Sequence, residues 1–537
     1  MPKASSNSGS TVLIENLRQA RCYPHPVTEI QLLETHISWV LLTGDYAYKV
    51  KKPVDLGFLD FSTLDQRRRY CEEELRLNRR FAPQLYLDVV RITGDVAAPC
   101  IAGDGPVIDY AVRMRQFPQQ ALASALLAAG RLVPQHLEDL AAALAAFHQA
   151  AAATNAGSPF GTPQVILDAA LQNFDQLSPL LTGPGDGNVL STLRRWTLRE
   201  HAAKRARMER RRVAGAVREC HGDLHLGNIV LIDGRLVPFD CIEFNPALRW
   251  NDVLSEAAFL VMDLQDRGSP RLGWLFLNAY LEHTGDYQGL ALLPFYLVYR
   301  AMVRAKVHGL RATQPGLDAG KRLSLLQASR TYLALASTYA HRPGPVLIIT
   351  HGLSGSGKSR IAAELMQQHG AVRIRSDVER KRRHGLAPQQ RGAGDVGAGI
   401  YSHQATAALY RHLAALARET IAAGFTVIVD ATFLQRWQRD LLHDVARKTG
   451  VPLLIMAVSA AEAVLRTRIV QRAAAGHDPS DAGIAVLEHQ LATREALTPA
   501  ERDLAVELSS EKQDPDACCR QVVAALAAIP GAMRNPD

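Results

Sequence analysis

The clearest pattern of apolar and polar positions lies in the C-terminal third of the chain. The apolar run VLIIT (346–350) is followed by a stretch of helical spacing, and AVRIRSD, FTVIVDATF and PLLIMAVS then alternate with further helical stretches. Short, nearly continuous apolar strands separated by helices predict βαβ units and a parallel sheet covered on both faces. Upstream the order differs. Strand-like text comes first, in ISWVLLTGDYAYKVKK, where TGD reads as a hairpin turn. Long helical stretches follow, including QHLEDLAAALAAFHQAAAA and YLVYRAMVRAKVHGL. Strands first and helices after predict a two-lobed α+β fold. The seam is STYAHRPGP, ending at Pro345. It sets a boundary near Arg342 and two domains, 1–342 and 343–537.

Composition narrows the class. A chain of 537 residues exceeds one ordinary core, and 47% hydrophobic with 21% charged residues suits a globular protein. No apolar run is long enough to span a bilayer, and the start lacks a signal-peptide core, so no membrane partner is expected. The 7 cysteines show no C-x-x-C spacing, which reads as reduced thiols in a cytoplasm. A net charge of +8 fits nucleotides or nucleic acid and alone decides between neither.

GLSGSGKS, Gly352 to Ser359, fits G-x-x-x-x-G-K-[ST] and stands between a predicted strand and a predicted helix. Gly352, Ser354, Gly355, Ser356 and Gly357 form a loop whose N–H groups converge on phosphate at a helix N-terminus. Lys358 would bridge the β- and γ-phosphates, and Ser359 would hold Mg²⁺. RIRSDVERKRR places Asp377 just after the second strand, facing an acceptor hydroxyl as general base, with Arg380 one turn on as an anion clamp. VIVDATF ends in Asp430, a carboxylate for Mg²⁺, and LRTRIVQR sets Arg468 and Arg472 on one helix face, as in a lid that neutralises phosphate charge.

This half resembles the P-loop kinases that include polynucleotide kinase, zeta toxin and gluconate kinase. SDVER, VIVDATF and the arginine helix match the acceptor, magnesium and lid positions. The resemblance implies an α/β P-loop NTPase domain that phosphorylates a hydroxyl, either a small alcohol or a nucleic-acid 5′ end.

HGDLHLGN (221–228) poses a choice. As a metal-hydrolase set, His221 and His225 would need helical spacing and a further ligand, but Gly222 and Gly227 argue for a loop. As a phosphotransfer loop, Asp223 and Asn228 stand in the D-L-x-x-x-N relation of protein kinases, with Asp223 taking the hydroxyl proton and Asn228 holding Mg²⁺. NIVLIDGRLVPFD then reads as a hairpin about an Asp-Gly turn that brings Asp240, a second metal aspartate, back to Asn228. Upstream, Lys49 and Lys51 share one strand face, so either can be the lysine that holds the α- and β-phosphates. Glu74, on the helix of RRRYCEEELRLNRRF, is its ion-pair partner.

HGDLHLGN with FDCIEF resembles the aminoglycoside phosphotransferase family, and YAYKVKKPVDLGFLDFSTLDQRRRYCEEELRLNRRFAP resembles a bacterial branch that fuses such a domain to a P-loop kinase. The resemblance implies a protein-kinase-like N-terminal domain. No glycine-rich loop precedes Lys49, where ETHIS stands instead. The carboxylates of NDVLSEAAFLVMDLQD fall at helical spacing with an apolar face, as in an ordinary amphipathic helix. The basic stretch 194–212 reads as a solvated helix, His403 and His412 as surface or packing residues, and the first ten residues as a flexible tail.

The expectation is a cytoplasmic, bifunctional kinase that uses ATP and Mg²⁺ on small-molecule hydroxyl acceptors. The alternatives are an N-terminal ligand sensor that regulates the P-loop kinase, or a C-terminal nucleic-acid 5′-end kinase.

Overall fold

The computed structural model describes residues 7–529 apart from 56, 58, 156, 315, 388, 389, 391–398 and 476–479. The chain gathers into two compact units. The first takes the chain up to Leu140 with Phe147–Ile166 and Glu209–Leu260; the second takes Ala141–Ala146, Leu167–Met208 and the chain from Val261 onward. The helices of 261–340 therefore fall in the same unit as the C-terminal sheet, although they precede the seam at Arg342.

The first unit is built on a six-stranded antiparallel sheet. Its strands are β1 (Gln31–Glu34), β2 (Ser38–Leu42), β3 (Tyr46–Lys51), β4 (Tyr86–Asp95), β5 (Ala98–Ile101) and β6 (Val107–Arg115), in the order β1-β2-β3-β6-β4-β5. Alternation along β3 sends Tyr48 and Val50 into an apolar layer with Leu41, Ile92 and Ala111, and leaves Lys49 and Lys51 on the opposite face. That layer is capped by Leu13, Ile14 and Leu17, so residues 7–10 begin a helix (Asn7–Asn16) rather than a tail. Helix α1 (Leu64–Asn78) starts at Thr63, whose side chain accepts the Gln66 N–H (3.2 Å). It covers the lysine face and packs Cys71 near Leu85, Tyr86 and Val112.

Past a long helix (Asp186–Val213), β7 (Val217–Glu219) pairs antiparallel with β10 (Trp250–Asp252). Between them, β8 (Ile229–Ile232) and β9 (Arg235–Pro238) form the expected hairpin. Its turn residues Asp233 and Gly234 both have positive φ (50° and 76°), as a tight two-residue hairpin requires. Helix α2 (Val253–Asp266) corrects the amphipathic expectation for its region, because Asp252, Glu256 and Asp263 are all buried. Each has a cationic or hydrogen-bonding partner: Arg211, His148 and Arg267 respectively.

In the second unit, β11 (Leu347–His351), β12 (Val372–Arg375), β13 (Val427–Asp430), β14 (Leu453–Ser459) and β15 (Ala505–Ser509) form a parallel sheet ordered β12-β13-β11-β14-β15. Around it lie α3 (Pro270–Thr284), α4 (Lys358–His369), α5 (Ser376–Arg383), α6 (His403–Ala422), α7 (Arg436–Thr449), α8 (Glu462–Ala475) and α9 (Ile484–Thr493). Val346, Ile348, Ile428, Leu454 and Met456 form the core with Leu365 of α4 and Val522. No helix among the described residues is long and apolar enough to cross a membrane.

Arg439 on α7 is fully buried and bonds Glu501 at 2.6 Å and the Phe433 carbonyl at 3.1 Å. Phe433 has a left-handed φ of 46°, which turns the chain sharply after β13. Removing one partner of such a buried pair leaves a charge uncompensated. Arg439→Met is therefore expected to cost about 3–5 kcal/mol in urea unfolding of the full chain.

Candidate active sites

The first site forms where β3, α1 and the β8–β9 hairpin meet. Lys49 Nζ donates to Glu74 Oε1 (2.7 Å) and to Asp240 Oδ1 (2.5 Å). Lys51, on the same strand face, donates to Glu74 Oε2 (2.7 Å) and to Glu243 Oε1. Both lysines thus share Glu74, and the third partner distinguishes them. Lys49 reaches the half-exposed Asp240, whereas Lys51 is sealed against a second buried carboxylate. Burial pushes the Glu74 carboxyl up, but the two ammonium groups outweigh it and hold its pKa at about 2. Burial also raises Glu243, and there it exceeds the pull of Lys51. Burial would lower Lys49, yet Asp240, Glu74 and Glu243 together raise it well above the usual lysine range.

The loop 221–228 is positioned from below. His221 Nε2 donates to the Phe239 carbonyl (2.8 Å), and its Nδ1 accepts the Asp223 N–H (3.3 Å). Both ring nitrogens are committed to backbone, and burial lowers the pKa of the ring, so His221 is a neutral clamp rather than a metal ligand. His225 Nδ1 accepts the Gly227 N–H (3.0 Å), which leaves Nε2 to carry a proton towards Asp223 Oδ2 at 3.3 Å. Asn228 Nδ2 donates to the same oxygen (3.0 Å), and the Asn228 carbonyl accepts the Phe239 N–H (2.9 Å). Asp223 and Asn228 therefore adjoin, and the hairpin returns the chain with Asp240 one residue past Phe239. Asp240 itself has φ 64°, with its N–H on Tyr86 Oη (3.1 Å). Gly222 (φ 92°) donates to Glu256 Oε1 (2.7 Å), and Glu256 Oε2 meets His148 (2.9 Å). Where a glycine-rich loop is missing, the turn between β1 and β2 is closed by Thr35, whose hydroxyl donates to the Ser38 carbonyl (3.0 Å).

The second site lies at the C-terminal end of β11. Gly352 has φ 144°, and a Cβ there would stand 2.2 Å from the Val458 carbonyl oxygen, so the loop admits no side chain at that point. Gly355 and Gly357 are also left-handed, at φ 83° and 90°. The Ser354 N–H is held by Gln490 of α9 (2.9 Å), and the Ser356 hydroxyl lies 3.5 Å from Lys358 Nζ. Lys358 is buried and curls back to the Leu353 carbonyl (2.7 Å). Burial lowers its pKa to about 8, with Asp430 and Asp377 opposing the shift. Ser359 Oγ donates to Asp430 Oδ1 (3.1 Å), while Asp430 Oδ2 is buried and has no partner among the described residues.

Asp377 stands in the first turn of α5, its carboxyl raised by burial and opposed by Ser480, Arg375 and Arg380. Arg380 is tied to the Ile400 carbonyl (2.8 Å) and lies over the Tyr401 ring (4.9 Å). Arg468 bonds Ser510 Oγ (2.7 Å) and approaches the Gly355 carbonyl (3.4 Å), which places it against the phosphate loop. Arg472 donates to the Ala482 carbonyl (2.8 Å) and still acts on Lys358 through its charge. His412 pairs with buried Glu379 (3.1 Å). Sequence reasoning missed Glu243, Gln490 and Ser510. Of these, Glu243 alone left a signal, three residues past Asp240 inside FDCIEF.

The phosphotransferase enzyme family model matches residues 58–293, and the AAA domain model matches residues 347–497. An uncharacterized protein of Mycobacterium tuberculosis (strain ATCC 25618 / H37Rv) is 31% identical over 478 residues, which is 88% of this chain and 92% of the relative. A protein of Mycobacterium bovis matches equally, at 31% over 478 residues. Among solved structures, the amicoumacin kinase hAmiN is 15% identical with a TM-score of 0.39, covering 62% of this chain and 95% of its own. A gluconokinase from Sinorhizobium meliloti 1021 is 24% identical with a TM-score of 0.24, covering 35% and 94%.

The shared carboxylate separates the two lysines experimentally. Lys51→Met strands Glu243 and half of Glu74 in the interior, and is expected to destabilise the chain by about 3–5 kcal/mol. Adding Glu243→Gln should recover most of that loss in the same urea titration. Lys49→Met should cost less, because Asp240, with its side chain 42% exposed, can rehydrate.

Proposed function

The chain belongs to the family of the mycobacterial relative, with a phosphotransferase, protein-kinase-like domain ahead of a P-loop kinase domain, and from that membership we propose that it is a bifunctional kinase, transferring the ATP γ-phosphate to hydroxyl acceptors at two separate sites. The observation that carries the reading is a buried lysine set beside a metal-type aspartate in each half: Lys49 on Asp240, and Lys358 under the charge of Asp430. The motifs of the two proposed kinases divide at 1–342 and 343–537, although 261–340 groups with the C-terminal unit.

Two residue sets fit magnesium. Asn228 and Asp240 form one set: the Asn228 carbonyl bonds Phe239, the residue before Asp240, and Asp240 presents a half-exposed carboxylate. Ser359 and Asp430 form the other set, where the unpartnered Asp430 Oδ2 is a buried anionic oxygen in need of a cation. Bound at these positions, the ion offsets charge on the transferring phosphoryl group.

The remaining steps belong to the chain's own side chains. Lys49 leaves Asp240 for the α- and β-phosphates while Glu74 keeps hold of it. Asp223, aligned by Asn228 and His225, accepts the proton of the acceptor hydroxyl. In the second site Lys358 swings from the Leu353 carbonyl to the β- and γ-phosphates, and loop N–H groups from Gly352 to Ser359 surround them. Asp377 receives the acceptor proton, while Arg468 and Arg472 close over the charge from α8. Arg380 borders the acceptor from Tyr401. Both sites would work in the cytoplasm, where ATP is supplied.

A second reading makes the first half a ligand sensor, and the Thr35 turn in place of a glycine loop favours it. Labelled ATP and a metabolite extract separate the two readings. Asp223→Asn should remove one product and Asp377→Asn another, each by about 10²–10⁴-fold in rate, with ATP affinity retained. A single product, lost only in Lys358→Ala or Asp377→Asn, would favour the sensor.

Lys358 supplies a pH signature. Its pKa of about 8 means that the folded, nucleotide-free protein loses this proton as pH rises past that value. Phosphate binding restores it. Calorimetry at pH 8.5–9 in buffers of different ionisation heat should show a proton taken up on ATP binding, and Lys358→Arg should abolish the uptake.

A further inference from the structure

The region matched by the phosphotransferase family and the region matched by the AAA domain meet along α3. Asn278 closes the open edge of the parallel sheet. Its Nδ2 donates to the Ala371 carbonyl (3.1 Å) and its Oδ1 accepts the Arg373 N–H (2.7 Å). These are the two bonds a neighbouring strand would make. One turn further, Glu282 accepts from Arg373 (3.0 Å) and Arg375 (3.3 Å), the arginines that alternate onto one face of β12. Burial raises the Glu282 carboxyl, and the two guanidinium groups reverse that shift.

The same turn of α3 holds the far end of α5. Arg382 donates to the Glu282 carbonyl (2.7 Å), satisfying a helix C-terminus that otherwise lacks donors and carries partial negative charge. Gly285, in the left-handed region at φ 71°, makes room for it, since a Cβ there would lie 2.8 Å from Arg382 Nη1. Trp274 lies against Gly370, the C-cap of α4, where a Cβ would meet the indole nitrogen at 2.6 Å.

Helix α5 is thus gripped at both ends: by Arg375, the residue before its first turn, and by Arg382 in its last turn. Between the grips stand Asp377 and Arg380. An interface serving only to bury surface would show apolar contact without regard to α5. Here the polar bonds fall on the two termini of the helix that bears the acceptor aspartate. We propose that α3 is a working part of the second phosphotransfer site: Asn278 and Glu282, contributed by the phosphotransferase region, are positioning residues that set α5, and the P-loop kinase acts only with that helix in place. The inference rests on the reading of Asp377 as the acceptor base.

The test uses the full chain carrying Asp223→Asn, with labelled ATP and a metabolite extract, scoring the product that Lys358→Ala removes. Glu282→Gln and Asn278→Ala should each lower turnover at saturating ATP by about tenfold to a hundredfold, with KM for ATP unchanged, because neither touches the phosphate loop. Glu282→Asp should recover part of the loss. Arg382→Met, at the opposite end of α5, should reproduce the split between kcat and KM and decides the matter if Asn278→Ala does not fold. Full turnover in folded Glu282→Gln and Arg382→Met proteins overturns the proposal, as does a fall in turnover matched by an equal rise in KM for ATP. A product that persists in Lys358→Ala instead overturns the P-loop kinase reading on which the proposal stands.

Discussion

A cation taken out of water must find a negative partner, and this constraint organises both halves of the molecule. Lys49, Lys51, Lys358 and Arg439 are all buried, and each lies against carboxylates or carbonyls drawn from other elements. In the first half the solution is a shared carboxylate. Glu74 takes one lysine on each oxygen, and the outer partners, Asp240 and Glu243, come from a single short segment after β9. That network ties the sheet, α1 and Asp240 together. In the second half the solution is looser. Lys358 rests on a carbonyl, and burial lowers its pKa.

The two candidate sites accordingly hold their lysines in different ways. The first has its lysine fully ionised and pinned, and its loop 221–228 is suspended from buried backbone bonds through His221 and Glu256. Gly222 and Asp240 are both left-handed, which turns the backbone sharply at each end of this segment. The second relies on glycines. The Gly352 contact with Val458 shows how closely the loop approaches β14. The proposed phosphoryl transfer would ask for charge placed around a loose transition state more than for strong bases.

The second unit holds a set of polar contacts that the motifs do not announce. The polar side of α3 treats the edge of the parallel sheet as a strand would, and its last turn receives Arg382. A helix from the region matched by the phosphotransferase family is thereby built against the sheet of the region matched by the AAA domain.

The phosphate loop, the hairpin with its Asp-Gly turn, the alternating strands and helices of the second half and the domain order could all be read from residue types, because local backbone geometry and burial on two faces impose them. That Asp223 adjoins Asn228, and that the chain returns past Asn228 just before Asp240, could be read too, because both follow from short spacing in the loop and the hairpin. Lys49 and Lys51 could not be told apart by alternation, which sends both to one face; only the placement of Asp240 and Glu243 distinguishes them. The carboxylates about α2 read as part of an ordinary amphipathic helix because helical spacing does not reveal what a helix packs against, and Asp252, Glu256 and Asp263 prove to be buried and hydrogen-bonded. Arg380 carried a position in the sequence, but its stacking on Tyr401 depends on a segment 20 residues away. Glu282 carried no signal at all, for its meaning arises from two arginines 91 and 93 residues further on. The sequence by itself determined the elements, the motifs and the order of the halves, where the cause is local. The tertiary structure decided which buried charge answers which, because pairing depends on distance in space and not on separation along the chain.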